Sequence, residues 1–193
     1  MTVIFVSGTI GSGKSQFCRA LSELGAQVVS ADLIVAEFYS NDSWCQSLEF
    51  HLQQNFRDVT GAFSKSELAA AAFADPSLRH SLETFIHPQV RAKLQEIIAE
   101  SKAKVLVYEI PILRTDTDIS LADYVVRVDC ALDVRLGRLI ARGMSESDAL
   151  ARMKVQDADE SRNVPVDAVV TNDGSIEDLN NQATQFYKLW SKQ

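Results

Sequence analysis

Short apolar runs alternate with amphipathic segments along the chain. The apolar runs, rich in β-branched and aliphatic residues, predict five strands, at residues 2–7, 26–32, 104–111, 124–129 and 167–172. Between the first two runs, Phe17, Leu21 and Leu24 lie on one helical face, and Gly25 predicts the end of that helix. Because strands and helices alternate, we expect an α/β fold with a doubly wound, five-stranded parallel sheet.

The segment from residue 33 to residue 86 lacks strand signals and has helical spacing instead. Ser64, followed three residues later by Glu67, predicts a capped helix start. Asp75-Pro76 and His87-Pro88 predict two further helix starts, since proline suits the first turn of a helix. We therefore expect a helical insert over residues 33–86.

A basic segment, residues 134–158, lies between the fourth and fifth apolar runs. Arg135, Arg138 and Arg142 share one face of a predicted helix, and Ser145 predicts the start of a second helix. Such charges usually form a solvated face. A one-sided arginine stripe in an acidic chain instead favours a lid that closes over phosphates, and we expect residues 134–158 to form it.

The bulk properties of the chain narrow the classes of function. Its 193 residues suit a single domain over residues 1–193, and its net charge is −7. An acidic protein has no long-range attraction for nucleic acid or anionic membranes, so we expect neither as a partner. No apolar run is long enough to span a membrane, and Cys18, Cys45 and Cys130 are scattered as free thiols are. These features predict a cytoplasmic protein.

The first apolar run ends in a glycine-rich stretch, "GTIGSGKS", that fits the phosphate-loop pattern G-x-x-x-x-G-K-[ST]. The strand before it and the helix after it are the context in which such a loop presents backbone N–H groups to phosphates. Lys14 is expected to reach the β- and γ-phosphates of ATP, and the Ser15 hydroxyl to bind Mg²⁺. The predicted ATP-binding residues of the loop are Gly8, Thr9, Ile10, Gly11, Ser12, Gly13, Lys14 and Ser15.

Two carboxylates at predicted strand ends each have two possible roles. Asp32 follows the second apolar run, where it could accept a proton from an acceptor hydroxyl or orient that hydroxyl, or could cap the next helix. Glu109 lies near the end of the third run, where it could orient a Mg²⁺-bound water or pair with a backbone amide. The sequence leaves both pairs of alternatives open.

A GTPase switch is the main alternative use of a phosphate loop. The stretch "DVTG", residues 58–61, matches the D-x-x-G pattern of switch proteins, but it follows a helical segment rather than a strand. The guanine-binding pattern N-K-x-D is absent from the chain. The sequence therefore favours transfer of the γ-phosphoryl group to a second substrate.

Taken in order, the motifs of this chain resemble those of the dephospho-coenzyme A kinases, which are phosphate-loop kinases similar to nucleoside monophosphate kinases. The matching stretches are "GTIGSGKS", "VVSAD", "FIHPQVR", "VLVYEIPIL", "RLIARGMSESDALARMKVQ" and "DAVVTNDGSIEDL". Three positions depart from the family pattern. Ser30 replaces the first aspartate of D-A-D, Thr115 replaces a glutamate, and Val166 replaces an alanine.

The resemblance implies transfer of the ATP γ-phosphoryl group to the ribose 3′-hydroxyl of dephospho-coenzyme A, with Mg²⁺ as cofactor. It implies that Asp32 is the catalytic aspartate, alongside Lys14 and the lid residue Arg142. ATP and dephospho-coenzyme A are then the partners of a monomer or weak homo-oligomer, and the insert over residues 33–86 binds the acceptor. The remaining implied contacts are Arg138 and Asn172 for ATP, and Asp32, His87 and Arg91 for the acceptor.

Two other functions remain compatible with the sequence. A related kinase could use another small acceptor, such as a nucleoside monophosphate. A nucleotide-binding regulatory module could have lost catalysis altogether, although the presence of Asp32 and Arg142 argues against that.

Overall fold

The computed structural model describes residues 1–115, 117–158 and 164–192. Its strands are β1 (Thr2–Gly8), β2 (Gln27–Ser30), β3 (Val105–Glu109), β4 (Tyr124–Asp129) and β5 (Ala168–Thr171). Its helices are α1 (Lys14–Glu23), α2 (Ala31–Phe38), α3 (Asp42–Leu52), α4 (Lys65–Ala74), α5 (Pro76–Glu100), α6 (Leu132–Ala141), α7 (Glu146–Asp157) and α8 (Ile176–Trp190).

All five strands are parallel and lie in the order β2-β3-β1-β4-β5. The chain extends the sheet first to one side of β1, through β3 and β2, and then to the other side, through β4 and β5. This is the predicted five-stranded α/β sheet, and every residue of β1 is buried, as expected for its central position. The carboxyl ends of the strands therefore meet at one edge of the sheet, where ligands bind in folds of this kind.

Two strands end two residues earlier than the apolar runs predicted, and β5 ends one residue earlier, at Thr171. β2 ends at Ser30 rather than at Asp32, because helix α2 begins directly at Ala31. β3 ends at Glu109 rather than at Pro111. Ile110 still donates its N–H to the Val6 carbonyl, but Pro111 has no N–H with which to continue the ladder.

Helices α1 and α8 pack together over the core of the sheet. Phe17 and Leu21 of α1 have no exposed surface, and Trp190 of α8 stacks on Phe186 with ring centroids 5.0 Å apart. Gly25, with φ of 105°, ends α1 in the left-handed conformation that glycine adopts without steric cost. The predicted helix stop at Gly25 is therefore confirmed.

The chain divides into two compact units. The first, the sheet unit, contains residues up to Ser30 and from Ser101 onward. The second, the helical unit, is Ala31–Glu100 and contains α2, α3, α4 and α5. The core of the helical unit is formed by Leu48, Leu52, Phe56 and Leu68, all from α3, α4 and their connection.

The predicted helix start at His87-Pro88 is wrong, because α5 is one continuous helix with Pro88 in its interior. Pro88 has no N–H, so the helix passes through it without one of its backbone hydrogen bonds. The helix is anchored on both sides of Pro88 by the buried residues Ile86 and Leu94. The predicted starts at Pro76, Ser64 and Ser145 are correct, and the two serines accept hydrogen bonds from the backbone N–H three residues on.

The connection between α3 and α4 is held by an ion-pair network. The buried carboxylate of Glu49 accepts hydrogen bonds from the Phe56 N–H at 2.7 Å and from Arg57 Nη2, also at 2.7 Å. Asp58 of the "DVTG" stretch accepts hydrogen bonds from the Thr60 N–H and hydroxyl within its own turn. That carboxylate therefore stabilises a local turn, which is not the role of a switch aspartate.

The cysteines are free thiols, and burial raises the pKa of Cys18, Cys45 and Cys130 alike. Among the described residues, no helix combines the length and apolar character needed to cross a membrane.

Candidate active site

The phosphate loop lies between β1 and α1, at the carboxyl edge of the sheet. Its backbone turns through Gly11 and Gly13, whose φ angles are 81° and 90°. The Ser12 N–H donates to the Thr9 carbonyl at 3.1 Å, and the Gly13 carbonyl accepts from the first turn of α1. A residue with a side chain adopts such positive φ angles only at a steric cost, which explains the glycines.

Four backbone N–H groups of this loop have no acceptor among the residues that the structure describes. In the part of the chain that the structure describes, the N–H groups of Gly11, Gly13, Lys14 and Ser15 donate to no other residue. They lie at the amino terminus of α1, where the helix dipole adds partial positive charge. Unpaired N–H groups at a helix amino terminus form an anion-binding site, and a phosphate is the group that suits it best.

Glu109 connects the two functional side chains of the loop. Its Oε1 atom accepts hydrogen bonds from Lys14 Nζ at 2.9 Å and from Ser15 Oγ at 2.7 Å. Of the two roles open for Glu109, pairing with a backbone amide does not occur among the described residues. The Ser15 hydroxyl and the Glu109 carboxylate are oxygen donors, which Mg²⁺ prefers, so these residues fit that cofactor.

Arg135 is buried rather than part of an open arginine stripe. Its Nε donates to the Ile10 carbonyl at 3.0 Å, and its Nη1 contacts both oxygens of Asp157, at 3.0 and 3.1 Å. Only 6% of its surface is exposed, so it cannot serve the lid face predicted for it. The periodicity correctly placed Arg135 and Arg138 on one helix, which ends at Ala141 just before Arg142, but it did not show that Arg135 packs against the phosphate loop.

The other two arginines of the stripe differ in their surroundings. Arg138 is half-buried, and its guanidinium contacts the Ser12 carbonyl, the Asn172 Oδ1 and the Cys130 Sγ. Arg142 is exposed at the carboxyl end of α6. The structure therefore brings Arg138 to the loop and leaves Arg142 on the surface.

Helices α6 and α7 also contact the loop through apolar groups and one amide. Leu139, Ala149 and Met153 form a small core against which Ile10 packs. The Ile10 N–H donates to Gln156 Oε1 at 2.8 Å. The sequence placed Gln156 and Asp157 only within the predicted lid, residues 134–158. Nothing in their spacing shows that Gln156 reaches a loop 146 residues earlier in the chain or that Asp157 binds Arg135.

Asn172 follows β5 and is 5% exposed. Its Nδ2 donates to the Ser12 carbonyl at 2.7 Å, while its Oδ1 accepts from Arg138 Nη2 at 3.4 Å. The residue is therefore next to the phosphate loop, and its amide group is used by contacts within the protein.

The predicted acceptor residues belong to the helical unit. Asp32 lies in the first turn of α2, exposed, and the predicted alternative role as a helix cap is wrong because α2 already begins at Ala31. No hydrogen bond joins its carboxylate to another residue of the helical unit within the described ranges. His87 is exposed in the middle of α5, and Arg91 lies one turn further along.

The register of the sheet pairs the end of β2 with Glu109. Ser30, the last residue of β2, is paired with Glu109 of β3. Glu109 in turn binds Lys14 and Ser15. Asp32 follows two residues after Ser30 along the chain.

Comparison with known proteins identifies the family. The family model CoaE, described as dephospho-CoA kinase, matches residues 2–178. A dephospho-CoA kinase from Corynebacterium jeikeium (strain K411) is 36% identical, over 97% of this chain and 98% of its own length. Among solved structures, TT1252 from Thermus thermophilus is 29% identical with a TM-score of 0.82, and covers 97% of both chains.

A second solved structure carries the family name itself. The dephospho-CoA kinase from Campylobacter jejuni is 26% identical with a TM-score of 0.70, over 98% of this chain and 97% of its own. Sequence and structure thus agree along nearly the whole length, and the chain belongs to the dephospho-CoA kinase family.

Proposed function

We propose that this chain transfers the γ-phosphoryl group of ATP to the ribose 3′-hydroxyl of dephospho-CoA, giving CoA and ADP. Membership of the dephospho-CoA kinase family supports the reaction and both substrates. The structural observation that carries the proposal is the phosphate loop, in which four N–H groups have no acceptor among the described residues and lie near the Lys14 and Ser15 side chains.

The loop would hold the donor. The free N–H groups of Gly11, Gly13, Lys14 and Ser15 would bind the oxygens of the β- and γ-phosphates. Lys14 has three N–H donors, of which one goes to Glu109, so two remain for phosphate oxygens. Arg138 would stay beside the loop, where its positive charge stabilises the negative charge of the nucleotide.

Asp32 would serve the attacking hydroxyl. An oxygen–phosphorus bond forms between the ribose 3′-oxygen and the γ-phosphorus, and the bond from that phosphorus to the bridging oxygen breaks, releasing ADP. The hydroxyl proton passes to the Asp32 carboxylate. The exposure of the Asp32 carboxylate supports this role, because an exposed carboxylate is accessible to a substrate.

The acceptor and the lid would involve further residues. The helical segment 33–86, with His87 and Arg91 just beyond it, would bind dephospho-CoA. The segment 134–158 would act as the lid, with Arg142 contributing charge stabilisation during transfer. Arg142 suits this role because it is exposed, whereas the guanidinium of Arg135 is buried and binds Asp157.

Ser15 and Glu109 would hold Mg²⁺, which supplies charge neutralisation to the phosphates when bound. We further expect a cytoplasmic protein that is a monomer or a weak homo-oligomer.

The test is an acceptor panel. The purified chain is incubated with ATP and Mg²⁺ and, separately, with dephospho-CoA, AMP, a deoxynucleotide mixture and adenylylsulfate, and products are measured by mass. The proposal predicts phosphorylated product from dephospho-CoA with far higher kcat/KM than from the others. Turnover of a different acceptor would indicate a related kinase, and ATP binding without any turnover would indicate a regulatory module. Either result overturns the proposal.

A further inference from the structure

The phosphate loop is held from its outer side by side chains of the sheet unit. Two of its carbonyl groups accept hydrogen bonds from such side chains. The Ile10 carbonyl accepts from Arg135 Nε at 3.0 Å. The Ser12 carbonyl accepts from Asn172 Nδ2 at 2.7 Å and, more weakly, from Arg138 Nη1 at 3.4 Å.

These carbonyls belong to the peptide groups that carry two of the free N–H groups. In a planar trans peptide, the carbonyl and the following N–H point in opposite directions. A donor that fixes the Ile10 carbonyl outward therefore turns the Gly11 N–H inward, and the contact at the Ser12 carbonyl does the same for the Gly13 N–H. Both peptides are trans in the described chain.

The glycines pack directly against the residues that hold the loop. A Cβ atom at Gly13 would lie 2.1 Å from Asn172 Nδ2, and one at Gly11 would lie 3.0 Å from the Arg135 carbonyl oxygen. The close approach shows that the loop and its outer contacts form one packed structure. Asn172 and Arg135 are each at least nine-tenths buried, so these contacts do not compete with water.

We infer that Asn172 and Arg135 are positioning residues, which hold the Gly11 and Gly13 N–H groups in the direction that binds the phosphates of the nucleotide. This inference rests on the proposed role of the loop and deepens it. In this inference Asn172 binds the Ser12 carbonyl and so orients the loop, whereas the family resemblance implies that Asn172 contacts ATP directly.

Asn172 either positions the phosphate loop or contacts the adenine of ATP directly. Inorganic tripolyphosphate distinguishes these two roles, because it has phosphates but no adenine. Binding of Mg²⁺-tripolyphosphate and of Mg²⁺-ATP is measured by calorimetry for the wild type and for Asn172→Ala. A positioning role predicts that both ligands lose affinity by the same factor, roughly three- to thirtyfold for one hydrogen bond. Affinity for dephospho-CoA should not change.

Arg135→Lys is the second variant, in case Asn172→Ala does not fold. Lysine keeps the positive charge but cannot bind the Ile10 carbonyl and Asp157 together as the planar guanidinium does. Arg135→Lys should also lose affinity for Mg²⁺-tripolyphosphate and for Mg²⁺-ATP by the same factor. Gln182→Ala is the matched control, because Gln182 also donates an amide N–H to a carbonyl, that of Thr171, but has no contact with the loop among the described residues.

Loss of ATP affinity with unchanged tripolyphosphate affinity would show an adenine contact and overturn the inference. Unchanged affinity for both ligands in a folded variant, or equal losses in Gln182→Ala, would overturn it as well. Failure of the wild type to bind either ligand would instead reject the proposed role of the loop, so the two failures are distinguishable.

Discussion

Glu109 links the two functional side chains of the phosphate loop to strand β3. It holds Lys14 and Ser15 through the same oxygen atom and is only 13% exposed at its side chain. Its carboxylate forms an ion pair with the Lys14 ammonium at 2.9 Å. The carboxylate therefore has two uses, orienting Lys14 and supplying an oxygen near the hydroxyl of Ser15.

Glu109→Gln should lower kcat and raise the Mg²⁺ concentration that gives half-maximal activity, each by roughly 10–100-fold, the usual scale for groups that orient a metal site. The amide keeps the shape of the side chain but removes its charge. The measurement is a Mg²⁺ titration at saturating ATP and dephospho-CoA. Asp129→Asn is the control, since Asp129 also ends a strand but pairs with Arg127. An unchanged Mg²⁺ requirement in Glu109→Gln would contradict this role.

Asp32→Asn should reduce kcat by roughly 100- to 10,000-fold, the usual range for a general base, while leaving ATP affinity close to that of the wild type. The amide cannot accept the hydroxyl proton, but it does not alter the phosphate loop. Steady-state kinetics and ATP calorimetry together separate the two effects.

Glu37→Gln makes the same chemical change on an exposed carboxylate of the same helix and should leave both quantities unaltered. If Asp32→Asn turned over at the wild-type rate, Asp32 would not be the base.

The sequence predicts some residues of the site well and others poorly. Lys14 and Ser15 follow from a local motif, which is recognised from eight consecutive residues of the sequence. The burial of Arg135 and its contacts with Ile10 and Asp157 depend on how α6 and α7 pack, which a single periodic pattern does not describe.

At the level of elements, the ion pairs of Glu49 and Asp42 with Arg57 stabilise the connection between α3 and α4. The Arg57 guanidinium lowers the pKa of Asp42. At Glu49, burial raises the pKa of the carboxyl. Hydrogen bonds from Arg57 and the Phe56 N–H outweigh burial and lower this pKa below the ordinary value. Carboxyls with lowered pKa values in the folded state stabilise it above their unfolded pKa, and this stabilisation is lost as the pH falls.

The thermal stability of the helical unit should therefore fall as the pH drops through the range below about 4, where unfolded carboxyl groups titrate. Glu49→Gln should lower the Tm at pH 7 by roughly 4–8 °C and reduce its dependence on pH. Thermal unfolding at several pH values, with hydrogen exchange of α3 peptides, measures both.

Glu96→Gln is the matched control, because Glu96 forms a solvent-exposed pair with Lys93 at 3.4 Å, and such pairs contribute little. Parallel curves of Tm against pH for the wild type and Glu49→Gln would show that the ion pairs of Arg57 do not contribute to the pH dependence of stability.

Element boundaries could be predicted where a single local signal decides them. Strand β4 occupies the residues of its apolar run, 124–129, and Ser145 begins α7 through its own side chain. Pro88 illustrates the limit of such signals. Proline favours a helix start, but the buried residues on either side of it make one long helix the better arrangement.

At the scale of the whole molecule, the α/β class and the parallel sheet could be predicted from the alternation of strands and helices. The division of the chain could be predicted only in outline. The expected helical insert was 33–86, whereas the helical unit is Ala31–Glu100, since α5 extends 14 residues beyond residue 86. The family match over residues 2–178 covers both units.

The most direct test of the central claim follows the γ-phosphoryl group itself. ATP labelled with ¹⁸O in the γ-phosphoryl group is incubated with the chain, Mg²⁺ and dephospho-CoA, and the products are analysed by mass spectrometry. We expect labelled CoA and unlabelled ADP in equal amounts, with the new phosphate on the ribose 3′-oxygen. Recovery of the label as inorganic phosphate, without labelled CoA, would contradict it.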